Sequence, residues 1–326
     1  MTAPVAQLDR VVAFEAIGWG FESLRVRQNR PILPHQDRVF FLRALPALIG
    51  WGLLAGCACG PDRGPVLPLT EEAARRDLER MRSEPVRLER PVVVIGGYLD
   101  PDLGSGWLAR EIRRLTGDSR VVSVNLFPST SFDDCRRRIV HAVDAAFPGQ
   151  DPGWTTEVDA IGVSMGGLAA RYAALPPSAH SCGSPGGDRM ALKVKRLYTI
   201  SSPHQGARLA DLPTLHPLQL AMRRGSRFYA DLERFEREAG AGYPIVPYVQ
   251  WGDSVVGIEN AAPKGQACLW TSRGVCPLPH IAAVLDPRIQ ADIARRLRGE
   301  APHAMERLEP RPEGRAKESG RKLLFL

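Results

Sequence analysis

The stretch Asp159-Ala160-Ile161-Gly162-Val163-Ser164-Met165-Gly166-Gly167-Leu168-Ala169-Ala170-Arg171 decides how the rest of the chain is read. Val158, Ala160 and Ile161 suit a short buried strand, and Leu168, Ala169, Ala170, Tyr172, Ala173 and Ala174 suit a helix. Between them, Gly162-Val163-Ser164-Met165-Gly166 has the G-x-S-x-G spacing of a nucleophile elbow. A serine forced into a strained strand-to-helix turn holds its hydroxyl clear of the backbone. Glycine at the flanking positions leaves room for the turn and for close approach of strand and helix. The helix start behind Ser164 offers unpaired N–H groups where an oxyanion would form. Five residues alone are a weak signal, because a plain Gly-rich turn can match them. The strand before and the helix after give the match its weight.

Outward from the elbow, the chain has 326 residues, enough for one large α/β domain with extensions. It carries 44% hydrophobic and 24% charged residues, a globular composition. The net charge of +7 does not form a basic stripe. Arg75-Arg76 lies between Glu71-Glu72 and Asp77, and Arg136-Arg137-Arg138 follows Asp133-Asp134. Such interleaving argues against a nucleic-acid partner. There is no metal-spaced Cys/His cluster and no phosphate-loop signature, so no metal or organic cofactor is implied.

Strand and helix signals alternate on both sides of the elbow. Val92-Val93-Val94-Ile95 is a fully apolar strand followed by Gly96-Gly97-Tyr98-Leu99-Asp100. Residues 103–115 read as a helix, 120–126 as a strand and 131–147 as a helix. After the elbow helix comes a polar insert, 176–188, then a strand at 195–201 and the turn Ser202-Pro203-His204-Gln205-Gly206. This alternation predicts a mostly parallel sheet wrapped by helices on both faces. Residues 210–243 carry no strand signal, and Phe228, Tyr229, Leu232 and Phe235 share one helical face. That face either covers a pocket, where it would suit an acyl chain, or packs on the core.

With these residues in place, the chain resembles the α/β-hydrolases of lipase and esterase type over residues 91–299. In that family an early core strand ends in a His-Gly-x turn. Gly96 stands where the His would be, a departure that removes one hydrogen-bonding side chain. The Ser-Pro-His-x-Gly turn at 202–206 is similar to one found in bacterial lipases. The resemblance implies an α/β-hydrolase fold over 70–299 with a small helical cap at about 207–243. It also implies oxyanion donors at the N–H groups of Tyr98 and Met165, and a triad in the order Ser…acid…His. The strand Pro244-Ile245-Val246-Pro247-Tyr248-Val249-Gln250-Trp251 is followed by a turn holding Asp253, the expected acid. Asp211 and Asp231 come too early, in the cap; Asp286 and Asp292 come too late. Among seven histidines, His35 precedes the mature chain, His141 and His216 fall on helices or cap, His180 in the insert and His303 in the tail. Of the remaining two, His204 precedes the acid, leaving His280 as the expected base beside Ser164. The implied reaction is cleavage of a carboxylic ester, from a small-molecule or lipid substrate, through an acyl-enzyme. Acyl transfer or thioester cleavage on the same triad stays open, as does a non-catalytic surface binding protein of this fold.

The termini carry separate expectations. Residues 1–38 look unlike the rest. Ala6-Gln7-Leu8-Asp9-Arg10 and Gly20-Phe21-Glu22-Ser23 resemble conceptual translations of a transfer-RNA gene, which would put the real start near Val39; a disordered N-terminal extension is the alternative. Residues 39–56 have the pattern of a signal peptide: Arg38 and Arg43 supply a positive start, and the apolar run over 44–55 is too short for a stable span. Leu54-Ala55-Gly56-Cys57 resembles a bacterial lipobox, which implies acylation of Cys57 and an exported, membrane-anchored lipoprotein. An uncleaved hydrophobic helix, or ordinary secretion or release to the periplasm after a cut near the same place, is the alternative. Residues 57–69 read as a Pro/Gly-rich tether, and Thr70 as the cap of a helix running to about Met81. Residues 300–326 read as a disordered charged tail. An exported location permits disulfides, and Cys268 and Cys276, flanking a short loop before His280, are the expected pair. Cys59, Cys135 and Cys182 are unassigned.

Overall fold

Four consecutive branched residues leave a strand without a polar face, so Val92-Val93-Val94-Ile95 must be covered on both sides. In the computed structural model all four are fully buried, with Val93 and Ile95 in one hydrophobic cluster and Val92 and Val94 in another. The described residues are 66–179, 190–240, 242–272 and 278–305. In chain order they form α1 (Glu71–Ser83), β1 (Val92–Ile95), α2 (Gly104–Thr116), β2 (Val121–Val124) and α3 (Phe132–Ala146). Then come β3 (Val158–Val163), α4 (Met165–Ala173), β4 (Val194–Ile200), α5 (Pro217–Ala221) and α6 (Arg227–Ala239). The series closes with β5 (Ile245–Gln250), β6 (Leu269–Thr271), α7 (Pro279–Leu285) and α8 (Pro287–Leu297).

The sheet has the order β2-β1-β3-β4-β5-β6, and every neighbouring pair is parallel. One cluster joins the sheet to α3, α4 and the 218–235 region; the other joins it to α2, α7 and α8. This is the α/β-hydrolase fold. The chain steps outward from β1 to β2, then returns to place β3 on the other side of β1. Crossover helices diverge at that reversal, so a crevice opens beyond the C-terminal ends of β1 and β3. Gly96-Gly97-Tyr98 follows β1 and Ser164 follows β3, which puts both at that crevice.

Several boundaries differ from the sequence expectations. The sequence reading did not place β6 or α8 as separate elements; β6 is only three residues long, too short to show a period. Residues 66–69, expected within a tether, are tied to the sheet edge. Leu67 N–H donates to the Trp270 carbonyl at 2.8 Å, and the Leu67 side chain is buried. Residues 300–305, expected as the start of a disordered tail, are anchored instead. Glu300 pairs with Arg80 and Arg298, His303 Nε2 lies 3.0 Å from Asp77 Oδ2, and the Ala304 carbonyl accepts from Arg296. Charge alone suggested disorder there, whereas the charges find partners on α1 and α8. Burial opposes ionisation of Asp77, but hydrogen bonds from Arg295, His303 and Arg80 outweigh it and hold its pKa at about 2.

The face of α6 also resolves one open choice. Phe228 stacks on Phe132 of α3 with ring centroids 3.9 Å apart and lies 5.9 Å from Tyr172 of α4. The Tyr229 hydroxyl donates to the Pro203 carbonyl at 2.7 Å, and Leu232 is buried in the same cluster. These side chains belong to the core between helices. The leader at 39–56, Cys57, Cys59, Cys182, Cys276 and the tail beyond 305 lie outside the described residues, and so does the expected Cys268–Cys276 pairing.

Candidate active site

Ser164 sits between β3 and α4 with φ +51° and ψ −124°, a backbone conformation that a side chain disfavours. The surrounding glycines explain how the turn survives. A Cβ on Gly162 would come within 2.5 Å of Gly167 Cα, and one on Gly166 within 2.3 Å of the Ile95 carbonyl oxygen. At Gly167 it would meet Ser202 Oγ at 2.3 Å. The elbow is therefore wedged between β1 and the turn after β4, and only glycine fits. Ser164 N–H donates to the Ile200 carbonyl at 2.8 Å, which pins the turn to the end of β4.

Asp253 follows β5, just past Gly252 at φ +84°. Its Oδ1 accepts the amides of Val255 and Val256 at 3.0 and 3.1 Å, leaving Oδ2 for a single partner. That partner is His280, in the first turn of α7, whose Nδ1 lies 2.9 Å from Asp253 Oδ2. His280 Nε2 lies 3.0 Å from Ser164 Oγ. With Asp253 ionised, Nδ1 holds the hydrogen and donates, so Nε2 presents a lone pair to the serine hydroxyl. Burial works against a charge on His280, but the adjacent Asp253 carboxylate outweighs it and raises the imidazole pKa above 6.5. Burial likewise opposes the charge on Asp253, and the facing His280 with the Val256 amide holds that pKa below 3.8.

The two expected oxyanion donors flank the serine. Met165 opens α4, where an amide has no intrahelical acceptor. Gly97 passes so near that a Cβ there would lie 3.2 Å from Ser164 Cβ, which brings the Gly97-Tyr98 turn against Ser164. The Tyr98 ring lies edge-on to His216, with centroids 5.1 Å apart. His216 precedes α5, so the 207–243 segment reaches the rim of the crevice through this residue.

His204 is placed differently. It is 2% exposed, with Nδ1 3.1 Å from Arg171 NH1 and Nε2 3.0 Å from Thr199 Oγ1. An Arg donor requires Nδ1 to be the acceptor, which fixes a neutral ring bearing its hydrogen on Nε2. Burial first, and Arg171 second, push its pKa well below 6.5. Arg171 in turn forms a two-pronged pair with Glu236 of α6, at 2.8 and 2.6 Å. The Ser-Pro-His-x-Gly turn is thus a structural joint between α4, β4 and α6. The excluded carboxylates also have other partners. Asp286 caps α8 and pairs with Arg288, Asp292 takes the Tyr248 hydroxyl and Arg296, Asp211 pairs with Arg224, and Asp231 pairs with Arg227 and Arg234.

Sequence reasoning passed over Arg171 and Ser201, since neither belongs to a motif. Their only signal was position: Arg171 lies two turns into the elbow helix, and Ser201 ends the strand beside it.

No family model matches the chain, and no curated protein matches it. Among solved structures it is similar to the mature form of the Bacillus licheniformis lipase BlEst2, at 14% identity and a TM-score of 0.39, over 62% of this chain and 89% of that one. The propeptide form of the same lipase is similar at 15% identity and a TM-score of 0.36, over 62% of this chain and 49% of that one.

Proposed function

We propose that this protein is a serine hydrolase that cleaves carboxylic esters through an acyl-enzyme. One observation carries the reading: the continuous relay Ser164 Oγ–His280 Nε2 at 3.0 Å and His280 Nδ1–Asp253 Oδ2 at 2.9 Å, set on a strained elbow. Ser164 Oγ attacks the ester carbonyl carbon while His280 Nε2 takes its proton. The electron pair of the carbonyl moves to oxygen, where the amides of Tyr98 and Met165 receive the negative charge. The tetrahedral centre collapses, the C–O bond to the alcohol breaks, and His280 returns its proton to the leaving oxygen. Water then takes the place of the alcohol: its oxygen bonds the acyl carbon as it gives a proton to the same Nε2, the bond from that carbon to Ser164 Oγ breaks, His280 returns the proton to Oγ, and the acid leaves. Asp253 stays ionised throughout and steadies the imidazolium.

The substrate in this reading is an uncharged acyl ester, either a small molecule or a lipid. Cys57, acylated and made the mature N-terminus by removal of the 39–56 leader, would hold the enzyme at a membrane surface of the cell envelope. A fatty-acid analogue fed to producing cells should label the wild type and not Cys57→Ser.

A fluorophosphonate probe and an ester panel of graded chain length test the catalytic reading. Ser164 should be labelled in the folded protein, and ester turnover should vanish in Ser164→Ala. Absent labelling of a folded wild type would reject the reading in favour of a binding protein.

A further inference from the structure

Ser201 bears two costs that a glycine at the same position would avoid. It has φ +51°, the left-handed region, and its hydroxyl is buried without completing a hydrogen bond of ordinary geometry. Among the described residues, only Leu99, Asp102, Ser164 and Ser201 have positive φ without being glycine. Ser164 and Ser201 occupy the corresponding place at the ends of adjacent strands. Ser164 N–H donates to Ile200 of β4, and Ser201 N–H donates to Tyr248 of β5 at 2.8 Å. Because β4 runs between β3 and β5, Ser201 stands between the strand end that carries the nucleophile and the one that carries the acid. Its hydroxyl lies close enough to the Asp253 carboxylate to favour the ionised form, yet short of a hydrogen bond of ordinary geometry. Oδ1 of Asp253 already takes two amides, and Oδ2 takes His280.

We propose that Ser201 is a positioning residue whose hydroxyl donates to the Asp253 carboxylate as His280 becomes positively charged. The inference rests on the serine-hydrolase reading. In the resting site Asp253 faces a neutral imidazole. When the proton leaves Ser164, the carboxylate must face an imidazolium without swinging toward it. A hydroxyl that is buried and uncommitted at rest can rotate to share the carboxylate charge and fix its plane. Such an arrangement explains why a strained position carries a serine.

The test compares Ser201→Gly and Ser201→Ala with the wild type. Glycine removes the hydroxyl and relieves the backbone, so Ser201→Gly should melt no lower than the wild type. Both variants should lose kcat by about tenfold, the size of one hydrogen bond to a charged group, with KM unchanged. The rising limb of the pH–rate profile should move to lower pH, because an imidazolium that no longer recruits the hydroxyl to its carboxylate is less stable and gives up its proton more readily. A Ser201→Gly enzyme with wild-type kcat and an unmoved limb would overturn the inference while leaving the hydrolase reading intact. A folded wild type without fluorophosphonate labelling or ester turnover would overturn both.

Discussion

His280 and His204 both stand beyond the C-terminal ends of the strands of one sheet, His204 fully buried and His280 partly so, yet their neighbours give them opposite chemistry. His280 faces the carboxylate of Asp253, and its pKa rises; His204 faces the guanidinium of Arg171, and its pKa falls. Burial pushes both the same way, so the sign is decided by the partner charge. In the proposed reaction the region around His280 accepts a proton. The region around His204 is built to stay neutral and join α6 to the elbow helix.

The largest test of that contrast is deletion. Ser164→Ala and His280→Ala should each lower kcat by about 10⁶-fold, and the double variant should be no worse, because the two act as one unit. His204→Ala should leave the kcat of the folded fraction near wild type; a dead His204→Ala beside an active His280→Ala would reverse the assignment. Asp253→Ala should cost less, about 10⁴-fold, since it orients and stabilises rather than reacts.

Displacing the elbow comes next. Gly166→Val would drive a side chain into the Ile95 carbonyl and shift the Met165 amide, lowering kcat by about 10²–10³-fold as for loss of one oxyanion donor. Truncating the Tyr98 side chain should matter far less, because the proposed donor there is its amide.

The pH dependence sharpens the comparison without mutation. His280 must be neutral to act as a base, so kcat/KM should rise with pH through a value above 6.5. The same raised pKa gives a stability contribution that is fully present below 6.5 and lost as pH rises through the folded value. His204 has the opposite sign. Its pKa is depressed, the unfolded chain binds the extra proton, and stability is lost as pH falls below 6.5. Thermal denaturation of His204→Gln against wild type across pH 5 to 8 should show the wild type losing more on the acid side; parallel curves would contradict the neutral His204.

The smallest expected effects lie beneath α6. Glu236→Gln would strand Arg171 as a buried cation, at a cost of about 3 kcal/mol in stability measured by denaturant unfolding, with little change in kcat. Phe228→Ala should cost about 3 kcal/mol through lost packing on Phe132. Its effect on turnover should be equal for short and long acyl chains; a selective loss of long-chain turnover would return Phe228 to the pocket.

The sequence by itself determined the elements whose signal is local. The unbroken apolar Val92–Ile95, the glycines around Ser164 and the cap at Thr70 each state their own conformation through the residues adjacent to them. Chain order was also legible, and it singled out Asp253 and His280 once the fold was inferred. Tertiary structure alone decided what depends on distant partners. Whether the α6 face covers a pocket or packs on α3 depends on Phe132, 96 positions from Phe228, and periodicity reads the same in either case. Residues 300–305 are held because Arg80 pairs with Glu300, Asp77 bonds the His303 ring and Asp292 accepts the His303 amide, the first two from more than two hundred residues away. The opposite fates of two histidines follow from Asp253 and Arg171. A periodic pattern records which face is apolar, but only the folded chain decides which charge stands opposite a ring.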